Sequence, residues 1–406
     1  MKRLLMTKLP LLLGLLLVAQ AWLHAQELKI HQINIGAGSC TFIEVLNTAG
    51  NRVAASTMLI DAGSQGEAST IRTYLNGIGA NTIKTALATH YDEDHIGGFA
   101  GTTAASNKGL LDKTATPSIT FSEVYDRDWE IGQPTSGVFD RYFNHQTTHY
   151  AGKLQTAETG DEFTLYNDAN LLIKARLLIV DYAIPKGTYY ATSDENRLSI
   201  VTLITVKDKA TNKWLFSYLN GGDFEARMKT LTSVSVPGAR RRRICDRPIS
   251  VNNSIGDLVK GEITTHAGGY ISLMTASHHG AENSFVDVSS RTVSGFNVGT
   301  ILISSGNRHD HPAVDYLRCL ENISFGQVWV TDYDRHGRKT NTTIPSAIRN
   351  KLRFDVSSNP TTKPHHIVVS FKKTGSTITR RIWRVSENGS STVTTPVNLS
   401  GATVSW

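Results

Sequence analysis

Two imidazoles and a run of carboxylates fall within six residues, His90-Tyr91-Asp92-Glu93-Asp94-His95, and the glycine pair Gly97-Gly98 follows. Neutral imidazole and carboxylate are ligand types for zinc or manganese, and one such loop can serve two neighbouring ions. Four further blocks repeat the design: an apolar, β-rich run that ends in His or Asp. Asp223 follows Leu219-Asn220-Gly221-Gly222, and the pair His278-His279 follows Thr275-Ala276-Ser277. His309 and His311 lie in Gly306-Asn307-Arg308-His309-Asp310-His311-Pro312, and Asp332 closes Val328-Trp329-Val330-Thr331. Upstream, Met58-Leu59-Ile60 runs into Asp61.

The elements needed to position these groups can be read from apolar periodicity. Ile83-Lys84-Thr85-Ala86-Leu87-Ala88-Thr89 reads as a buried strand that delivers the ligand loop. Leu28 to Asp61 reads as strands over Leu28–Ile35, Ser39–Asn47 and Val53–Asp61, with a turn at residues 47–52. Ala68 to Gly77 spaces its apolar residues as a helix does. The second half repeats the logic, with strands over Leu198–Lys207 and Trp214–Leu219. Strand-rich halves followed by helical patterns predict two sheets with outer helices. Beyond Pro345 the pattern changes to a short helix at Ser346–Phe354 and a hairpin of His366–Phe371 with Thr377–Val385. That region, 346–406, reads as a small β-rich C-terminal appendage, and the adjacent His365 and His366 within it read as incidental.

Taken in order, the blocks resemble the metallo-β-lactamase superfamily. They are most similar to the branch holding the hydrolase domain of DNA-uptake competence proteins (ComEC/Rec2-like) and the pneumococcal phosphocholine esterase. The resemblance covers roughly residues 28 to 342 and rests on H-x-D-x-D-H-x-G-G, G-D, H-H-G and G-x-x-x-x-H-P as an ordered set. It implies an α/β fold, an αββα sandwich with two divalent metal ions, Zn2+ or Mn2+, at one rim. One ion would take His90, Asp92 and one of the paired histidines, His278 in preference to His279. The other would take Asp94, His95 and His311, and Asp223 would bridge both. Asp61 would orient the ligand loop by hydrogen bonds from behind the ligands. His309 and Asn307 would assist the leaving group or hold a phosphate oxygen, and Asn196 would be structural. The implied activity is phosphodiester hydrolysis by a metal-bridging hydroxide, with nucleic acid the first substrate class and a phosphocholine-type diester the second. Two other readings stay open: β-lactam or lactone hydrolysis on the same fold, and a non-catalytic binding module.

The sequence also departs from the resemblance. Where the superfamily's first block reads D-V-G-Q-G-D, this chain has Asn34-Ile35-Gly36-Ala37-Gly38-Ser39, which keeps the glycines and loses both acids. Residues 102–194 are longer than expected between the ligand loop and the next core strand, and read as a substrate-specific insertion within a hydrolase domain spanning 26–345. They include His145 and His149, which would share one face of a helix and read as surface or packing residues.

The chain opens Met1-Lys2-Arg3, runs apolar from Leu9 to Val18, and reaches the small residues Ala19, Ala21 and Ala25. This is the pattern of an export signal over residues 1–25, and it predicts a periplasmic or secreted protein with no stable membrane insertion after cleavage. The formal charge is +7, and the leader holds three basic and no acidic side chains, so the mature chain keeps +4. That mild excess fits a polyanionic substrate without selecting one. Arg240 to Arg243 is the densest basic patch and has the fork geometry for phosphate. Three cysteines, Cys40, Cys245 and Cys319, are too few for a disulfide framework.

Overall fold

The computed structural model describes residues 25–36, 38–181, 183–184, 188–189, 194–224, 255–281, 297–306, 310–322, 325–355 and 365–399. The chain begins with β1 (Ala25–Gln32), β2 (Thr41–Leu46) and β3 (Arg52–Ile60), then helix α1 (Ala68–Gly77), β4 (Thr82–Leu87) and α2 (Glu93–Ala100). β5 (Thr120–Asp126), α3 (Gly137–His149) and β6 (Leu154–Thr156) follow. Next come β7 (Glu162–Asn167), β8 (Leu171–Ile179), the short β9 (Ala183–Ile184) and β10 (Thr188–Tyr189), β11 (Val201–Asp208) and β12 (Trp214–Asn220). Then α4 (Ile255–Ala267), β13 (Tyr270–Thr275), β14 (Asn297–Ile303), α5 (Val314–Cys319), β15 (Phe325–Val330), α6 (Ser346–Arg349) and β16 (Leu352–Arg353) complete the second half. β17 (His366–Thr374), β18 (Thr377–Val385) and β19 (Val397–Asn398) end the described chain.

Alternation of side chains decides the layers. On β3, Met58 and Ile60 face one way and Leu59 the other, and all three are fully buried, so the strand is covered on both faces. Met58 and Ile60 pack with Leu28, Ile30, Ile43 and Val45 against Ile173, Ile204, Phe216 and Leu273 of the facing sheet. Leu59 turns outward onto Ile71, Tyr74, Leu75, Ile96 and Phe99 of α1 and α2. The second sheet buries its own outer face, through Leu203, Ile271, Met274, Ile301 and Val328, beneath Ile263, Leu317 and Ile348. The result is the four-layer αββα sandwich that the sequence pattern predicts.

The first sheet runs β19-β18-β17-β1-β2-β3-β4-β5-β6, and the second runs β16-β15-β14-β13-β12-β11-β8-β7. The β-rich C-terminal region is built into the first sheet: β17 pairs antiparallel along the whole of β1, with Leu28 opposite Phe371 and Ile30 opposite Val369. Residues 102–194 are likewise woven through the body. They supply β5 and β6 to one edge of the first sheet, and β7 and β8 to one edge of the second. Among the described residues no helix is long and apolar enough to cross a membrane.

The topology matters most at one rim. β3 to β6 run parallel, as do β12 to β16. Parallel strands end together, so the segments after Ile60, Leu87, Asn220, Thr275, Ile303 and Val330 emerge at strand C-termini, where open α/β sheets place ligands.

Candidate metal centre

The turn after β3 sets the site. Asp61 is fully buried and takes a left-handed backbone conformation, φ 58°, uncommon for a residue with a side chain. Its amide donates to the Leu87 carbonyl at 2.9 Å, which locks the turn against the end of β4. Its carboxylate then accepts the Thr89 amide at 2.8 Å and the Thr89 hydroxyl at 2.9 Å, and meets His95 Nδ1 at 2.7 Å. With Nδ1 donating to Asp61, Nε2 of His95 is the nitrogen left to act as a ligand.

The loop then enters α2, which is held from behind by backbone. Ser39 N donates to the Asp94 carbonyl at 3.1 Å. A Cβ on Gly38 would stand 2.3 Å from that carbonyl oxygen, and one on Gly98 would stand 2.0 Å from the Ala62 oxygen. Only glycine allows such approach. The Asn34–Ser39 block is therefore structural here: Asn34 Nδ2 donates to the Thr331 carbonyl at 2.6 Å, and its Oδ1 accepts the Gly36 amide at 3.1 Å.

Three elements converge on Asp223, which follows β12. Its Oδ1 stands 3.0 Å from His95 Nε2, and its Oδ2 stands 3.5 Å from His279 Nε2 and 3.9 Å from His278 Nε2. His279 Nε2 is also 3.4 Å from Asp94 Oδ2. The donor atoms of His90, His95 and Asp223 all lie within 4.8 Å of one another, and so do those of Asp94, His95 and His279. The His90 and His95 rings are 4.1 Å apart. His278 and His279 both adopt positive φ, 46° and 53°, and this strained turn aims the two rings in different directions.

The structure thus brings Asp61, His90, Asp94, His95, Asp223 and His279 together. His279, rather than His278, faces Asp94 and His95. His278 sits on the more open side of Asp223, 23% exposed against 5% for His279. His311 lies beside the pair, its ring 6.1 Å from that of His279 and 6.0 Å from that of His278. Asp92 is 46% exposed, with Oδ2 3.5 Å from His90 Nε2. Asp332 turns away, into a loop contact with Arg335 and the Tyr333 amide. Asn307, His309, Arg240–Arg243 and the leader before Ala25 lie outside the described residues.

Two contributors are invisible in the sequence pattern. Thr89 links Asp61 to the loop as described, and Glu195 reaches in from just before β11. Glu195 Oε1 accepts the Tyr91 amide at 2.7 Å, while the buried Arg127 grips both carboxylate oxygens at 2.7 and 2.5 Å. Arg127 and Glu195 stand 68 positions apart, and no local motif marks them.

The electrostatics fit cations. Burial alone would push the Asp94 and Asp223 carboxyls up. For Asp94, His279 and the charge of His95 outweigh it, and for Asp223 the charges of His95 and His279 do so. Both are held well below the usual carboxylate range. Burial would lower His95, but Asp223 and Asp61 on either side hold it well above its ordinary value. Buried carboxylates need compensating positive charge. Meanwhile Nε2 of His90, His95 and His279 are buried and face carboxylate oxygens at 3.5, 3.0 and 3.4 Å, so these buried polar atoms are turned toward the acidic groups of the cluster. Imidazole nitrogens and carboxylate oxygens facing a common space suit zinc or manganese, and His90, Asp94, His95, Asp223 and His279 would hold them.

Residues 34–111 match the family described as the Metallo-beta-lactamase superfamily. A solved structure from Parabacteroides distasonis ATCC 8503, provisionally named a metal-dependent hydrolase, is similar over 75% of this chain and 93% of its own. The sequence identity is 12% and the TM-score 0.33. No curated protein matches the chain.

Proposed function

Because the segment carrying Asp61 and the His90–His95 loop matches the metallo-β-lactamase superfamily, we propose that the chain is a metal-dependent hydrolase of that superfamily, with a two-ion centre that cleaves phosphodiesters. The observation that carries this reading is the set of three buried imidazole nitrogens, on His90, His95 and His279, gathered around the Asp223 carboxylate. A pair of divalent ions supplies Lewis acidity and lowers the pKa of water to near neutrality. The protein's own part is positioning. Asp61 fixes the His95 tautomer, Asp223 offers one oxygen to each side of the cluster, and the backbone contacts at Gly38 and Gly98 hold α2 in register.

Phosphodiesters are preferred over acyl substrates on the H-x-D-x-D-H form of the loop, which resembles the competence-hydrolase and phosphocholine-esterase branch. Nucleic acid is the first substrate class, and a surface phosphodiester is the second. The leader over residues 1–25 supports an exported enzyme. The test is to offer the purified protein, loaded with manganese or zinc, DNA, bis-p-nitrophenyl phosphate and nitrocefin in parallel. Hydrolysis of either phosphodiester without nitrocefin turnover is expected. Turnover of nitrocefin alone would replace this reading with acyl hydrolysis.

A further inference from the structure

At the opposite end of α2 from Asp94, roughly 9 Å along the helix axis, Asp112, His145 and His149 form a second set of ligand-type side chains. His145 and His149 are four apart on α3 and share its face. Their rings stack 5.8 Å apart at an interplanar angle of 15°. Asp112, in the turn beyond α2, brings Oδ1 to 3.7 Å from His149 Nε2, and one donor atom from each of the three lies within 4.8 Å of the others. Tetrahedral zinc with bonds of about 2.1 Å separates its ligand atoms by roughly 3.4 Å. Small side-chain rotations would therefore close this trio on an ion.

The surroundings prepare the Asp112 carboxylate for such a role. Asp112 is oriented by the Thr114 amide at 2.8 Å and hydroxyl at 2.7 Å. The nearby ammonium groups are engaged elsewhere. Lys113 bonds the His149 carbonyl at 2.6 Å, while Lys108 bonds Thr114 and stays 4.0 Å from Asp112.

We propose that Asp112, His145 and His149 form a separate divalent-metal site of zinc type that pins the end of α3 to the turn following α2. It is independent of the rim cluster in both ligands and position. The test is the zinc content, after equilibrium dialysis, of the wild-type chain and of the His149→Asn and His145→Gln variants. His149 is partly exposed, at the C-terminal end of α3, and circular dichroism checks that both variants keep the fold. Each variant is expected to hold one zinc fewer than the wild type, whatever number the rim cluster takes, and to show a smaller zinc-induced rise in Tm. Equal zinc content in the wild type and the folded His149→Asn variant would overturn the proposal.

Discussion

Asp61 would touch no ion, yet three hydrogen bonds gather on its carboxylate and one of them decides which His95 nitrogen faces the cluster. Replacing it with Asn keeps the size but sets an amide donor in competition with the Thr89 and His95 donors. The expected result for Asp61→Asn is a folded protein whose metal affinity falls by about 10–100-fold, the usual cost of losing the group behind a ligand. Competition with a chromophoric chelator measures it, and unchanged affinity would reduce Asp61 to a purely structural role. At this scale the sequence was informative, because ligand-type side chains gather in short loops after apolar runs. The choice between His278 and His279 was not legible. Adjacent histidines have the same chemistry, and only the left-handed turn, φ 46° then 53°, determines which ring points inward.

The loop that presents His90 is braced by elements distant in sequence. Arg127, just past β5, is fully buried, stacks over the Tyr91 ring at 4.3 Å and pairs with Glu195 ahead of β11. Deleting Glu195 would remove the acceptor for the Tyr91 amide and leave the guanidinium with Asp181 at 3.5 Å and with backbone carbonyls. Glu195→Ala is therefore expected to destabilise the protein by about 3 kcal/mol in chemical or thermal unfolding, the scale of a broken buried pair. Adding Arg127→Met should restore part of that loss. If Glu195→Ala unfolds as the wild type does, the pair is not a brace. Elements with strong periodicity were readable in advance: Ala68–Gly77 is helical over its whole predicted length, and the hairpin of β17 with β18 lies where alternation placed it. The Arg127–Glu195 link was not, since charge pairing across so many positions leaves no local period.

Across the whole molecule, two twisted sheets share one rim, and the parallel strands β3, β4, β12 and β13 release their chains there. Alternation in strands such as β3 made the sandwich legible. It could not reveal that β17 lies against β1, or that residues 102–194 feed both sheets, because strand order follows from which edges remain unpaired rather than from any one strand. The most direct test of the shared rim is anomalous diffraction from crystals of the chain equilibrated with zinc or manganese. Two peaks are expected, about 3.5–4 Å apart as in two-metal sites, bounded by His90, Asp94, His95, Asp223 and His279. A contradiction would be a map with no peak among those residues, with His95 and His279 instead resting as protonated partners of Asp223 and Asp94.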